Sequence, residues 1–318
     1  MKKYITLNTK FRMLLCLLTL STGLFAQQIV RNNFYIQNPY LINPALTGFH
    51  GEFSGYLNYK NQWQGLSGAP DVAQLGAHGP ISQNMGMGAK ASFQSAGIFR
   101  ETIIDLTAAY WKEIHTGGIL SFGMSAGFAY SSINQDVVRV EDEVDQALYT
   151  GYQTESLLNA GFGFHYDYKA LQVNIAVPSI YNPIDEVYFQ LFNSEVSYDY
   201  EINPNWLVHP SVYYLRANPG LNQIDFTTMV EYAKLVFVQA GYRSIKSVFM
   251  GVGVTYSDVG IMYAYEINTE RLSSVSSGSH ELMIYFDLAN PSSGYASKSY
   301  YKGHQNHKKF KKPKPPRK

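Results

Sequence analysis

Along most of the chain, apolar and polar side chains alternate at every second position, and clusters of glycine, proline, asparagine and aspartate interrupt the alternation. From Phe53 the set Phe53, Gly55, Leu57, Tyr59 falls on one face and Ser54, Tyr56, Asn58, Lys60 on the other. Leu120, Phe122, Met124, Ala126, Phe128 and Tyr130 alternate in the same way against Ser121, Gly123, Ser125, Gly127 and Ala129. A period of two is the signature of an extended strand with unlike faces. Runs of this kind begin near residues 53, 71, 84, 103, 120, 157, 170, 195, 206, 223, 235, 247, 259 and 279. They predict about 14 strands of roughly 8 to 12 residues, the length of a tilted strand that crosses a bilayer. Short turns are expected after even strands, at Pro80, at 167–169, at Asn203 to Asn205, at 233–234 and at 257–258. Longer connections are expected after odd strands, the longest at 131–156 and 178–194.

Composition narrows the class. Aromatic residues make up 15% of the 318 residues and charged residues also only 15%, well below the roughly one quarter charged that soluble surfaces carry. Mean hydropathy is nevertheless −0.17, and no apolar run after residue 26 could span as a helix. Those properties coincide in a transmembrane β-barrel, where only alternate residues face lipid. The fold class expected is all-β: a transmembrane antiparallel β-barrel of about 14 strands over 52–288, with an N-terminal plug-like segment and a disordered basic C-terminal tail.

The first 26 residues read as a cleaved signal peptide: Lys2, Lys3, Lys10 and Arg12, then an apolar run from Met13 to Phe25, then Ala26 before Gln27. Its one cysteine, Cys16, follows bulky residues, which argues against lipidation, and no cysteine remains for disulfides or thiolate sites after cleavage. The formal charge of +1 conceals an asymmetry. Residues 27–297 carry −12, and the tail from Lys298 onward carries +9. Proline, lysine and few apolar residues build no core, so 289–318 is expected to be extended, with acidic protein surfaces, phospholipid phosphates or the cell wall as targets. A merely solubilising extension is the other reading.

Residues 27–51 form a mostly uncharged, anchor-rich lead-in with Phe34, Tyr35, Ile36, Tyr40, Leu41, Ile42 and Leu46. Two Asn-Pro pairs forbid helix or ladder there, because each proline lacks a donor and restricts the residue before it. Such a segment needs burial, and the barrel interior is the expected place. The residues Asn38, Pro39, Asn43, Pro44, Ala45, Gly48, Gln62, Trp63, Gly65 and Pro70 stand in the stretches NPYLINPALTG (38–48) and YKNQWQGLSGAP (59–70). In this pattern the chain resembles the PorP/SprF family, outer-membrane proteins of the type IX secretion and gliding machinery of Bacteroidetes. The resemblance implies a barrel in the outer membrane that assists export or cell-surface attachment of a secreted adhesin and meets periplasmic secretion components. The alternative is an outer-membrane transporter of hydrophobic small molecules, similar to the fatty-acid transporter barrels with their amino-terminal hatch.

No catalytic chemistry is expected. His165 and Asp167 share one strand face, but no Gly-x-Ser-x-Gly elbow accompanies them, and lining the lumen is their preferred role. Glu141, Asp142, Glu143 and Asp145 match no calcium-loop spacing, and His304 and His307 lack supporting ligands. Gly86, Gly88, Gly161 and Gly163 precede no helix, so they are read as relieving crowding rather than as cradling phosphate. Expected, then, are no cofactor, no metal, no nucleic acid and no enzyme activity, with outer-membrane lipid as a further partner.

Overall fold

The computed structural model describes residues 32–115, 117–133, 155–182, 187–217, 220–269 and 276–289. The signal segment with Cys16, residues 27–31, the acidic group from Glu141 to Asp145, and the tail with His304 and His307 lie outside the described residues. After two 3-10 turns, Pro39–Leu41 and Pro44–Leu46, all regular structure among the described residues is strand. The strands are β1 (Glu52–Asn61), β2 (Asp71–Pro80), β3 (Met85–Ala96), β4 (Phe99–Glu113), β5 (Ile119–Ile133), β6 (Glu155–Tyr168), β7 (Leu171–Asn182) and β8 (Val187–Tyr198). They continue as β9 (Tyr200–Asn203), β10 (Trp206–Ala217), β11 (Leu221–Tyr232), β12 (Val236–Arg243), β13 (Ser247–Tyr256), β14 (Val259–Asn268) and β15 (Ser279–Ala289).

Consecutive strands pair antiparallel except β8 and β9, β15 returns to pair with β1, and β10 pairs with β11, so the sheet closes without an end. Strands β8 and β9 both pair with β10 and are two halves of one stave broken at Asp199. Fifteen segments therefore make a 14-strand barrel. Opposite the break lies Pro210, whose missing N–H suits a point where the ladder is interrupted.

The alternation read from the sequence is the alternation of the wall. In β12 exposed and buried residues alternate from Val236 to Arg243. Phe122, Met124 and Phe128 of β5 are exposed, while Ser121 and Ser125 are buried. Closure thus turns the apolar faces outward and the polar ones into the lumen, the reverse of a soluble barrel. No described helix is long and apolar enough to cross a membrane.

Two expectations about connections change. The stretch 178–194 is largely strand, since β7 runs to Asn182 and β8 starts at Val187. Pro178 interrupts the pattern there, and the β7–β8 register shifts around it, which disguised the pairing. The connections after odd strands are also less uniformly long than expected: β3 and β4 are joined by Gly97 and Ile98 alone, because these strands lengthen to 12 and 15 residues and absorb the loop. Long connections remain at 62–70, 134–154 and 269–278, all at one end of the barrel. That end is called the loop end below, and the opposite one, where β1 begins, the turn end.

Candidate functional site

The lead-in supplies the most densely connected polar site in the described residues, because it runs inside the wall and bonds to inward-facing residues around the circumference. Its upstream end lies toward the loop end. Asn33 N–H donates to Glu281 (2.7 Å), Asn58 donates to Asn32 Oδ1 (3.2 Å), and the Arg243 guanidinium donates to the Asn32 carbonyl (3.2 Å). From there the chain descends. Tyr35 stacks on Tyr213 (4.8 Å between centroids) and its hydroxyl meets Thr227 (2.7 Å). Phe34 packs edge-on against Phe237, in a cluster with Met229, Met262, Ala264 and Met283. Gln37 donates to Gln239 (2.7 Å), and Tyr40 meets Thr107 (2.8 Å). Burial pushes the Tyr40 phenol up to about 12 and holds that of Tyr35 well above its ordinary value, so both remain neutral donors or acceptors.

The Asn-Pro pairs explain how a chain without strand or helix satisfies itself in a confined space. Asn38 N–H donates to the Phe34 carbonyl, and Pro39 opens the first 3-10 turn, where a missing donor costs nothing. Asn43 precedes the second turn and accepts from Ala45 N–H (2.9 Å), while its amide donates to the Phe164 carbonyl (2.9 Å) and to Asn174 (3.0 Å). Ser121 donates to the Ala45 carbonyl (2.6 Å), and Asn193 to that of Ile42 (3.1 Å). The wall is hollowed to receive this turn. A Cβ at Gly163 would overlap Asn43 Oδ1, and one at Gly123 would overlap the Pro44–Ala45 backbone. Gly48, at φ 67°, donates its N–H to His78 (2.9 Å). Phe49 then packs with Leu46, Ala109, Trp111 and Ile119 near the turn end. Beside it burial lowers the His50 imidazole to about 4.

Two polar networks flank the segment. Near the loop end Arg243 bonds Asp225 (3.0 Å) and Glu266 (2.7 Å), and Lys60 bonds Glu266 (2.9 Å) and lies 3.7 Å from Glu281. All five side chains are buried. Near the turn end His165 meets Asn174 (2.9 Å), Asn174 donates to Glu195 (3.1 Å), and Ser211 donates to the other Glu195 oxygen (2.7 Å). His165 and Asp167 are thus both buried on the lumen side, as expected, and His165 belongs to this chain of bonds.

The ten residues of the sequence pattern separate into two groups at opposite ends. Asn38, Pro39, Asn43, Pro44, Ala45 and Gly48 act together in the lumen. Gln62, Trp63, Gly65 and Pro70 shape the first loop-end connection, where Gln62 N–H donates to the Pro70 carbonyl (2.8 Å) and Trp63 N–H to Ser279 Oγ (3.1 Å). Trp63 stands at φ 52° and Gly65 at φ 97°. An open cleft of about 590 Å³ lies there between Tyr59, Gln64, Leu66 and His280. Sequence reasoning missed Arg243, Asp225, Glu266 and Glu281. The available signal was a charged residue at an inward position of a strand, as at Lys60.

A closed antiparallel sheet that is apolar outside and hydrogen-bonded inside defines a membrane-spanning β-barrel. Its sequence goes further: the model of the type IX secretion system membrane protein PorP/SprF matches residues 24–286, and the chain belongs to that family. It is an outer-membrane barrel of the type IX secretion system. No curated protein matches it. Among solved structures it is similar to the Acinetobacter baumannii outer membrane protein Omp33, at 7% identity over 75% of this chain and 100% of that one, TM-score 0.44. It is also similar to the KdgM porin, at 10% identity over 73% and 98%, TM-score 0.36. A mutant Rh. blastica porin matches at 10% identity over 74% and 99%, TM-score 0.33.

Proposed function

We propose that this protein is a non-enzymatic barrel that assists export or surface attachment of a secreted adhesin, with its lumen plugged by residues 27–51. The turn end faces the periplasm and its secretion components, joined there by the basic tail 289–318. The loop end faces the secreted partner, with Gln62 and Trp63 in the first outer loop. One observation carries this reading: Asn43, Ala45, Thr47, Phe49 and their neighbours are buried to 0–2% exposure inside the wall. A barrel whose lumen is occupied by its own chain suits a scaffold better than a transporter, which needs a vacant path for its solute.

Two measurements test it. The intact protein should give no large open-pore conductance in planar bilayers, and deletion of its gene should remove a particular secreted protein from the cell surface. Fatty-acid uptake lost with surface display intact would favour the transporter reading instead.

A further inference from the structure

The turn-end mouth gathers carboxylates on one side of its inner face. Side chains two apart on a strand share a face, and Asp167, Asp199 and Glu231 stand two residues beyond the buried, lumen-facing His165, Ser197 and Met229. Glu201 of β9 pairs with Leu207, which pairs in turn with Glu231, so it joins the same row. The charge of Asp199 acts on both Asp167 and Glu231, which makes the row one electrostatic unit. Set against it are His209, bonded to Asp199, and Lys234 of the β11–β12 turn, which offsets Glu231. Asp167 is the telling member. It is 5% exposed, yet it has no hydrogen-bond or ion-pair partner among the described residues, and the charge it meets is that of Asp199. A buried carboxylate beside a second one is costly without a cation, and this one points to a cation supplied from elsewhere.

We infer that the occupant is the chain's own C-terminal run KKFKKPKPPRK, 308–318, docked across this row. Strand β15 ends at Ala289, at the same end of the barrel. Staves about 4.8 Å apart and tilted about 40° close, fourteen in number, into a ring roughly 28 Å across, and the acidic row lies across that ring from β15. The stretch 290–307 can span at most about 60 Å, so the run reaches every member of the row. Its composition answers the row: lysines stand at 308, 309, 311, 312 and 314, and no acidic residue follows Asp287. Leu207, held between Glu201 and Glu231 by the pairing, offers an apolar place to Phe310, the aromatic residue of the run. The tether makes the encounter intramolecular, at an effective concentration in the millimolar range, which favours the run over a free polycation. The docking is independent of the export reading, since it assigns the tail its seat whichever periplasmic component the barrel serves.

Fluorescence anisotropy with a labelled synthetic peptide of sequence 308–318 tests this on the purified full-length barrel in non-ionic detergent at low salt. The parent is compared with a variant whose tail lysines at 308, 309, 311, 312 and 314 are all replaced by glutamine. The glutamine-tailed protein should bind the peptide, and the parent about tenfold more weakly, because its own tethered run holds the site. On the glutamine-tailed background, Asp199→Asn, Glu201→Gln and Glu231→Gln together should weaken binding about tenfold. Asp258→Asn, at the same end but outside the row, should leave it unchanged. Lys234→Ala removes the competing cation and should tighten binding about threefold, a gain that a damaged barrel would not give. Carbodiimide treatment of the parent should couple lysines of 308–318 to carboxylates of the row within one monomer. Equal affinity of parent and glutamine-tailed protein for the peptide, or binding undiminished by the triple substitution, would overturn the proposal. So would coupling products confined to dimers, which would seat the run on a second copy of the chain.

Discussion

The fit between Asn43 and Gly163 yields a sharp energetic test. Asn43 accepts one hydrogen bond and donates two, to Phe164 and Asn174, and its Oδ1 occupies the space a Cβ at Gly163 would need. Gly163→Ala should push that side chain aside and forfeit all three bonds. At about 1 kcal/mol for each bond lost, the expected cost is about 3 kcal/mol. Asn43→Ala removes the same bonds and should cost a similar amount. The double substitution is the discriminating case: with the Asn43 amide gone, the new methyl loses its one severe overlap and meets Pro44 Cδ at 3.0 Å, so the pair should cost little more than either alone. That is a coupling of about 3 kcal/mol in a double-mutant cycle. Equilibrium unfolding in detergent micelles followed by tryptophan fluorescence reads the energies, and planar-bilayer conductance reads release of the segment. Additive costs, or a Gly163→Ala barrel as stable and as closed as the parent, would refute the idea that the wall is shaped to the turn.

Other predictions follow from the same interior. Arg243→Met removes the Arg243 cation from Asp225, leaves Glu266 with Lys60, and should cost about 3–5 kcal/mol, measured by the same unfolding. Because His50 titrates near 4 inside the barrel and near 6.5 in the unfolded chain, only the unfolded chain binds a proton between those values. The His50 contribution, read as the stability of the parent minus that of His50→Gln, should therefore fall as pH drops from 6.5 toward 4 and stay constant above 6.5. In the β11–β12 turn, Ala233 and Lys234 both have positive φ (51° and 59°), so replacing them by Asn and Gly should stabilise the hairpin by about 1–2 kcal/mol, visible as a raised unfolding midpoint.

Much of this architecture is legible in the sequence because a barrel wall obeys a local rule. Each strand declares its two faces by itself, so Phe53, Leu57 and Tyr59 could be placed outside and Asn58 and Lys60 inside before any partner was known. What stayed hidden depends on contacts between distant segments. The bond from Asn33 to Glu281 spans 248 residues, and the Arg243 hub joins three strands with the lead-in. Gly163 reads as a site of relieved crowding, but what crowded it was visible only once the Asn-Pro turn lay against it. Pro178 misled for a related reason: a proline in an alternating run reads as loop, whereas here it marks a shift of register between two paired strands.

The inside of this barrel also bears on why the Asn-Pro pattern takes its form. A polar lumen is normally satisfied by water, and a chain that displaces the water must return every hydrogen bond. Regular structure would return few of them to the wall, since helices and sheets spend their backbone groups on themselves. Tight 3-10 turns opened by proline leave carbonyls free, and the wall uses them: Ser121 binds that of Ala45 and Asn193 that of Ile42, while upstream of the turns Gln239 binds that of Asn33 and Arg243 that of Asn32. The irregular backbone is therefore what lets one segment serve as the hydrogen-bonding partner of strands all round the barrel. Replacing Pro39 and Pro44 together by alanine should weaken that seat by loosening both turns, even though neither proline gives up a hydrogen bond. The check is the conductance trace, in which intermittent opening should appear in the double variant and be absent from the parent. A silent double variant would show that the asparagines alone hold the turns.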